Sequence, residues 1–491
     1  MRTRMLTRRL LHAVMVLLLS AVPFTEPLAD THDTFHYDAS NVDTAAHWAA
    51  RSTLANAVMF SGLGEPLRLS MSAMDDLLKH AGYITRPPMP NMALVGTVYA
   101  GGSPRYPQRP DFAKPATLAW DAASFDSTLD PAAQAWTLVK ITSPNFHLLF
   151  HDRKEDRRAA LVMLPQAKAQ ADTLWKRLRN QDGLFAARAP DGTYAAPEPV
   201  DQAAVLWGAS NLILAAASEA DDYWHTAYRD LINPDDYRAL ASSALAALQK
   251  LLPQDAQARA IAIAALGRYA LAANTPDTRR QALALARDHA NALRASTPEA
   301  LEAVALAIYG LIEASRLAGD QVYSDAAHRL FRNRLVPLWS EQHGVFLESA
   351  RAGTATYTPE RTAAVVAALN AIRWYGAEGA ASQAAAIYPR FFETVLIRGR
   401  LLQSSPAPLV PAVYQEKEPA AHFAHPALPA PAEAGVSPVF ASGITVDDGS
   451  WTVTDPMFRT GPALFLSNML VKRHEGEADA FLPEQRLHDL R

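Results

Sequence analysis

Two loops of like pattern hold the side chains best suited to chemistry. In the first, Leu174-Trp175 leads into Gly183-Leu184-Phe185, then Tyr194 and Pro197, then an apolar run containing Trp207. In the second, Leu338-Trp339 leads into Gly344-Val345-Phe346, then Tyr357 and Pro359, then an apolar run containing Trp374. Each apolar run opens with a carboxylate, Asp201 in one copy and Glu360 in the other. Two carboxyl groups held about 5–5.5 Å apart suit glycoside cleavage with retention, and about 6.5–9.5 Å apart suit inversion. A helix start also favours an acid for its dipole, and Trp on an apolar helix is usually core. Both readings stand at this point.

Other constellations are weaker. His147 and His151 stand one helical turn apart, followed by Asp152, without a third ligand or the Glu of a zinc-protease motif. His32 with His36, and His422 with His425, repeat the spacing. Met59, Met71, Met74, Met89 and Met92 cluster in a way that suits Cu(I) as well as core packing. Arg105 and Arg109 beside Gly101-Gly102 suit an anionic sugar or a solvated loop. Asp447, Asp448 and Trp451 fall in a predicted hairpin. The absence of Cys excludes disulfides, thiolate metal sites and a Cys nucleophile. No P-loop, GxSxG, dinucleotide-binding or nucleic-acid motif occurs.

The elements that must position these groups are mostly helical. Of 491 residues, 49% are hydrophobic and 20% charged, enough for a large core and wrong for a disordered chain. A net charge of −4 offers no field for nucleic acid. Arg2, Arg4, Arg8 and Arg9 precede the apolar run 13–22, the form of a secretory leader cleaved after Ala29. The expected location is therefore periplasmic or secreted, with no integral membrane span once the leader is removed.

From 131 onward a capping residue followed by Pro recurs at Asp130-Pro131, Asn233-Pro234, Thr275-Pro276, Thr297-Pro298 and Thr358-Pro359. The cap oxygen accepts an orphan N–H, and Pro needs none at the first helical position. The spacing predicts helices over 42–58, 66–81, 131–151, 155–179, 199–218, 234–252, 255–273, 276–294, 298–318, 322–339, 359–375 and 379–401, with a further one over 461–473. Residues 203–217 and 363–372 are apolar all round and read as buried. By contrast, 155–179 and 276–294 carry one charged face and read as outer helices. Residues 403–438 are Pro/Ala-rich and read as a linker or wrapping arm.

This alternation of buried and amphipathic helices, with the two Gly-aromatic loops, resembles the six-hairpin (α/α)6 toroids. Those include glycoside hydrolases, polysaccharide lyases, sugar epimerases and the helical half of a thioredoxin-domain family, whose redox domain is missing here. The resemblance implies an all-α fold over roughly 30–402, with residues 439–491 adding a β-hairpin and helix that pack on it. It implies a ligand cleft where long loops enter the inner helices. Asp201 and Glu360 would then be catalytic, and Tyr194, Trp207, His343, Glu348, Tyr357, Arg361 and Trp374 would bind substrate. No cofactor is expected. The expected partner is a glycan or small molecule; the alternatives are a non-catalytic scaffold for another exported protein, and His/Met copper handling.

Overall fold

The computed structural model describes residues 37–67, 94–108, 110, 115–143, 157–219, 231–348, 354–403, 435–447, 450–470 and 480–490, with Asp75, Asp76, Lys79 and Arg229. The leader, the His147/His151 pair, the other His pairs and most of the Met cluster lie outside the described residues; so do most of 66–81 and of the Pro/Ala-rich stretch.

Twelve helices among the described residues form two concentric layers. The outer ones are α1 (Val42–Ala55), α3 (Arg157–Arg177), α5 (Asp235–Lys250), α7 (Pro276–Ala295), α9 (Gln321–Leu330) and α11 (Glu378–Phe392). The inner ones are α2 (Pro131–Ile141), α4 (Pro199–Ala217), α6 (Ala256–Ala272), α8 (Leu301–Ala318), α10 (Pro359–Tyr375) and α12 (Thr460–Met469). Around the inner layer α2 packs on α4, α4 on α6, α6 on α8, α8 on α10, α10 on α12, and α12 on α2 again. The ring is closed. Each inner helix also carries an outer one: α3 on α2, α5 on α4, α7 on α6, α9 on α8, α11 on α10 and α1 on α12. The fold is an (α/α)6 toroid.

The layering follows from the sequence. An inner helix touches two ring neighbours and an outer partner, so no polar stripe survives on it; residues 362–372 are all buried, and within 203–216 only Asn211 and Leu214 are half-buried. An outer helix such as α7 buries only Ala282, Ala286, His289, Ala290 and Leu293, a single helical stripe. Small residues let the ring tighten. A Cβ on Gly310 of α8 would stand 2.8 Å from the Cα of Ala260 in α6, so these backbones touch only because Gly is there.

The helix read over 461–473 runs Thr460–Met469 and is a ring member, not a layer resting on a completed ring. Its neighbours are three helices remote in sequence. Lys140 Nζ donates to Ser467 O at 3.0 Å, Asn468 Nδ2 to Trp136 O at 3.0 Å, and Asn370 Nδ2 to Met469 O at 3.2 Å.

The long connections enter at the N-terminal ends of the inner helices and lace together there. β1 (Gly101–Gly102), ahead of α2, pairs with β5 (Phe458–Arg459), ahead of α12. β2 (Thr354–Tyr357), ahead of α10, joins the antiparallel pair of β3 (Gly443–Asp447) and β4 (Ser450–Asp455). Residues 480–490 lie at the other end, against the C-terminal halves of α8 and α10. Phe481 packs on Tyr309, Trp374 and Tyr375, with ring centroids 5.3–5.4 Å apart. Arg316 is buried against Glu313 and lies 3.8 Å over the Tyr375 ring. Between the two ends, Trp136, Trp207 and Phe465 stack at 5.0–5.4 Å, and the Arg268 guanidinium lies 3.8 Å over Trp207.

Candidate functional site

At the loop-bearing mouth, carboxyl groups from neighbouring ring helices converge. Asp130 is the N-cap of α2, its Oδ1 accepting the Ala132 N–H at 3.1 Å. Its Oδ2 lies against the first turn of α12, 3.0 Å from where a Cβ on Gly461 would stand. Asp201 sits in the first turn of the adjacent α4, only 9% exposed, and feels the charges of Asp130 and Glu198. Burial, reinforced by those two carboxylates, holds the Asp201 carboxyl well above the ordinary carboxylate range. Burial raises Asp130 too, opposed by the Ala132 and Ala133 N–H groups, while Asp126 adds to the rise. A protonated carboxyl beside another that ionises first is the arrangement that general acid–base chemistry needs.

Glu360 does not join Asp201. It lies in the first turn of α10, and α10 stands opposite α4 in the order of the ring. Asp130, read from the sequence only as a cap, is the nearer carboxyl partner. The missed signal is a hexad: Asp130-Pro131-Ala132-Ala133-Gln134-Ala135 and Glu198-Pro199-Val200-Asp201-Gln202-Ala203 share an acid-Pro opening and a Gln-Ala close. Each Gln reaches back to the preceding loop. Gln202 Oε1 accepts the Phe185 N–H at 2.9 Å and its Nε2 donates to Phe185 O at 2.7 Å. Gln134 does the same to Val98, at 3.1 and 2.6 Å. The amides fix the loops from which the mouth is built.

The predicted binding residues divide. Tyr194 is half-buried, donates to Arg177 O at 3.0 Å, and lies 5.6 Å from the Arg188 guanidinium. Glu348 is exposed and His343 half-exposed in the second loop. Arg361 bridges Glu302 at 2.6 Å and Glu348 at 3.0 Å, which ties that loop to α8. Two assignments need correcting. Trp207 is fully buried between Trp136 and Arg268, and Tyr357 is fully buried with its hydroxyl on the Phe346 main chain at 2.7 and 2.9 Å. Neither offers a face to a ligand. Trp374 is half-buried but lies at the opposite end of α10 from Glu360, about 21 Å along the axis at 1.5 Å per residue. Its neighbour there is Phe481.

Other candidates fall elsewhere. Met59 is core, 2% exposed, and Arg105 is exposed and bridges to Val436. Among the described residues no group of three His, Asp or Glu is placed to hold a metal.

No protein-family model matches the chain, and no curated protein does. Among solved structures, a D-mannose isomerase superposes over 82% of this chain and 97% of its own, with 11% identity and a TM-score of 0.45.

Proposed function

We propose that this chain binds and acts on a carbohydrate at the loop-bearing mouth of the ring, with Asp201 as proton donor and Asp130 as its ionised partner. The observation that carries the reading is the pair itself. Two acids stand on adjacent ring helices, Asp201 buried and Asp130 half-buried, and the charge on Asp130 helps hold the Asp201 proton, the kind of perturbed carboxyl that clusters at functional sites. Their partial exposure at the mouth leaves a path for substrate, and Glu198 and Tyr194 supply hydroxyl-binding groups at its edge. The substrate class is a glycan, and the reaction is hydrolysis, elimination or epimerisation, each of which needs a proton delivered and another removed. The Arg-rich, apolar first residues support export, so the glycan would be met in the periplasm or outside the cell. The test is a thermal-shift screen of the mature protein against neutral and uronic-acid oligosaccharides, followed by turnover of any that binds. Stabilisation by a glycan, with turnover lost in Asp201→Asn, is the expected result. Full turnover in that variant would remove the acid role.

One observation favours a second reading. The Trp136, Trp207 and Phe465 stack fills the ring between its ends, and Phe481 covers the end opposite the mouth. A filled ring suits a scaffold presenting its rim to another exported protein, and no response to any glycan would favour it.

A further inference from the structure

A cleft open to solvent lies on the outer wall, between the end of α9 and the start of α11. It measures about 600 Å³, the size that holds a monosaccharide with its water. Asp325, His328, Arg329 and Arg332 line one side, and Gly379 and Gln383 line the other. Residues 325, 329 and 332 follow helical spacing, so one acid and two guanidinium groups share a stripe. Among the described residues neither Arg329 nor Arg332 has an ion-pair or hydrogen-bond partner, so both guanidinium groups are open to a ligand. The opposite wall is short by sequence: Ala377 and Ala380 bear only methyl groups, and a Cβ on Gly379 would meet nothing within 4 Å. The cavity is held open by His328, whose Nε2 accepts the Ala377 N–H at 3.0 Å and ties α9 to α11.

We infer that this cavity binds a monosaccharide-sized polyol carrying one oxyanion, a sugar acid or a sugar phosphate. Two unpaired guanidinium groups one turn apart offer forked donors to a carboxylate or phosphate. Asp325 and Gln383 accept from and donate to hydroxyls on the same ligand. A neutral sugar leaves one of the two guanidinium charges unmatched, and a bare anion leaves Asp325 without a hydroxyl to bind and is repelled by it. The site is independent of the acid pair at the mouth.

The experiment is isothermal titration of the whole chain with glucuronate, glucose 6-phosphate, glucose and inorganic phosphate. Glucuronate or glucose 6-phosphate should bind at least tenfold tighter than glucose and tighter than inorganic phosphate; which of the two is preferred separates the carboxylate source from the phosphate source. Arg329→Ala with Arg332→Ala should weaken that binding at least tenfold. Gly379→Glu, which fills open space without touching the fold, should abolish it. Asp201→Asn should leave it in place, which separates this cavity from the mouth. Equal binding of glucose and glucuronate, inorganic phosphate as tight as the sugar phosphate, insensitivity to the arginine pair, or no binding at all would each overturn the inference.

Discussion

Gln202 holds Phe185 by both main-chain polar groups, as acceptor at 2.9 Å and donor at 2.7 Å, and so stitches the first loop to the ring helix that follows it. Gln202→Met keeps the volume and orphans a buried N–H and a buried C=O. Each orphan costs about 1–3 kcal/mol, so chemical denaturation should show a loss of that order or twice it. A loss under about 0.5 kcal/mol would mean that the clasp is incidental.

Asp201 gives a pH signature. Folding raises its proton affinity, so the native chain keeps a proton that the unfolded chain releases as pH climbs past about 3.8. Its contribution therefore favours the fold in acid and is withdrawn as pH rises from there through the native value. Asp201→Asn should be more stable than wild type at pH 7 and show a flatter dependence of Tm on pH above 4. If it acts as general acid, the same variant loses about 10²–10⁴ in turnover. More stable and less active is the joint outcome to look for.

His328 runs the other way. Burial, aided by Arg332, lowers its proton affinity against the pull of Asp325. As pH falls through about 6.5 the unfolded chain takes up a proton that the native one declines, and stability falls until the native value is passed. His328→Gln retains an acceptor for Ala377 and does not titrate. Between pH 7 and 5 its Tm should fall less than that of wild type, with the two close at pH 8.

Glu313 and Arg316 form a buried ion pair that also grips residue 482: Leu482 N–H donates to Glu313 Oε2 at 3.4 Å, and Arg316 donates to Leu482 O. Glu313→Gln leaves the buried guanidinium only the half-exposed Glu484, at 3.5 Å, and should cost up to about 3 kcal/mol by denaturant unfolding. Glu313→Gln combined with Arg316→Met should cost less than Glu313→Gln alone, because no charge is then left unmatched.

Gly310→Ala sets two effects against each other. Alanine gains about 1 kcal/mol in helix propensity, but its Cβ would sit 2.8 Å from the Ala260 Cα, a backbone atom that cannot swing aside. Overpacking of this kind costs about 1–3 kcal/mol, so net destabilisation is expected in calorimetry.

The helix starts at 131, 276 and 359 were legible to the residue because a cap and a proline act on their own turn, and the start at 199 because of its proline alone. The place of Thr460–Met469 in the ring was not, since its partners are set by tertiary contact across a Pro/Ala-rich stretch. Asp201 was legible as an acid at a helix start, and its coupling to Asp130 was not: the two meet only because α2 and α4 are neighbours. Trp374 misled for a simpler reason. The repeat aligns loops, but Trp207 follows Pro199 by about two turns and Trp374 follows Pro359 by about four, so the two indoles lie at different depths.

The way the circle shuts has a consequence for biogenesis. The last strut, Thr460–Met469, follows the other five in the chain and is buttressed by the first helix described, Val42–Ala55. A nascent chain released without it is a horseshoe with two greasy flanks, those of Pro131–Ile141 and Pro359–Tyr375. Such an arc can gain its final cooperativity only once Thr460–Met469 has been made, and in the interval it is the form most exposed to chaperones and to misassembly with a second arc.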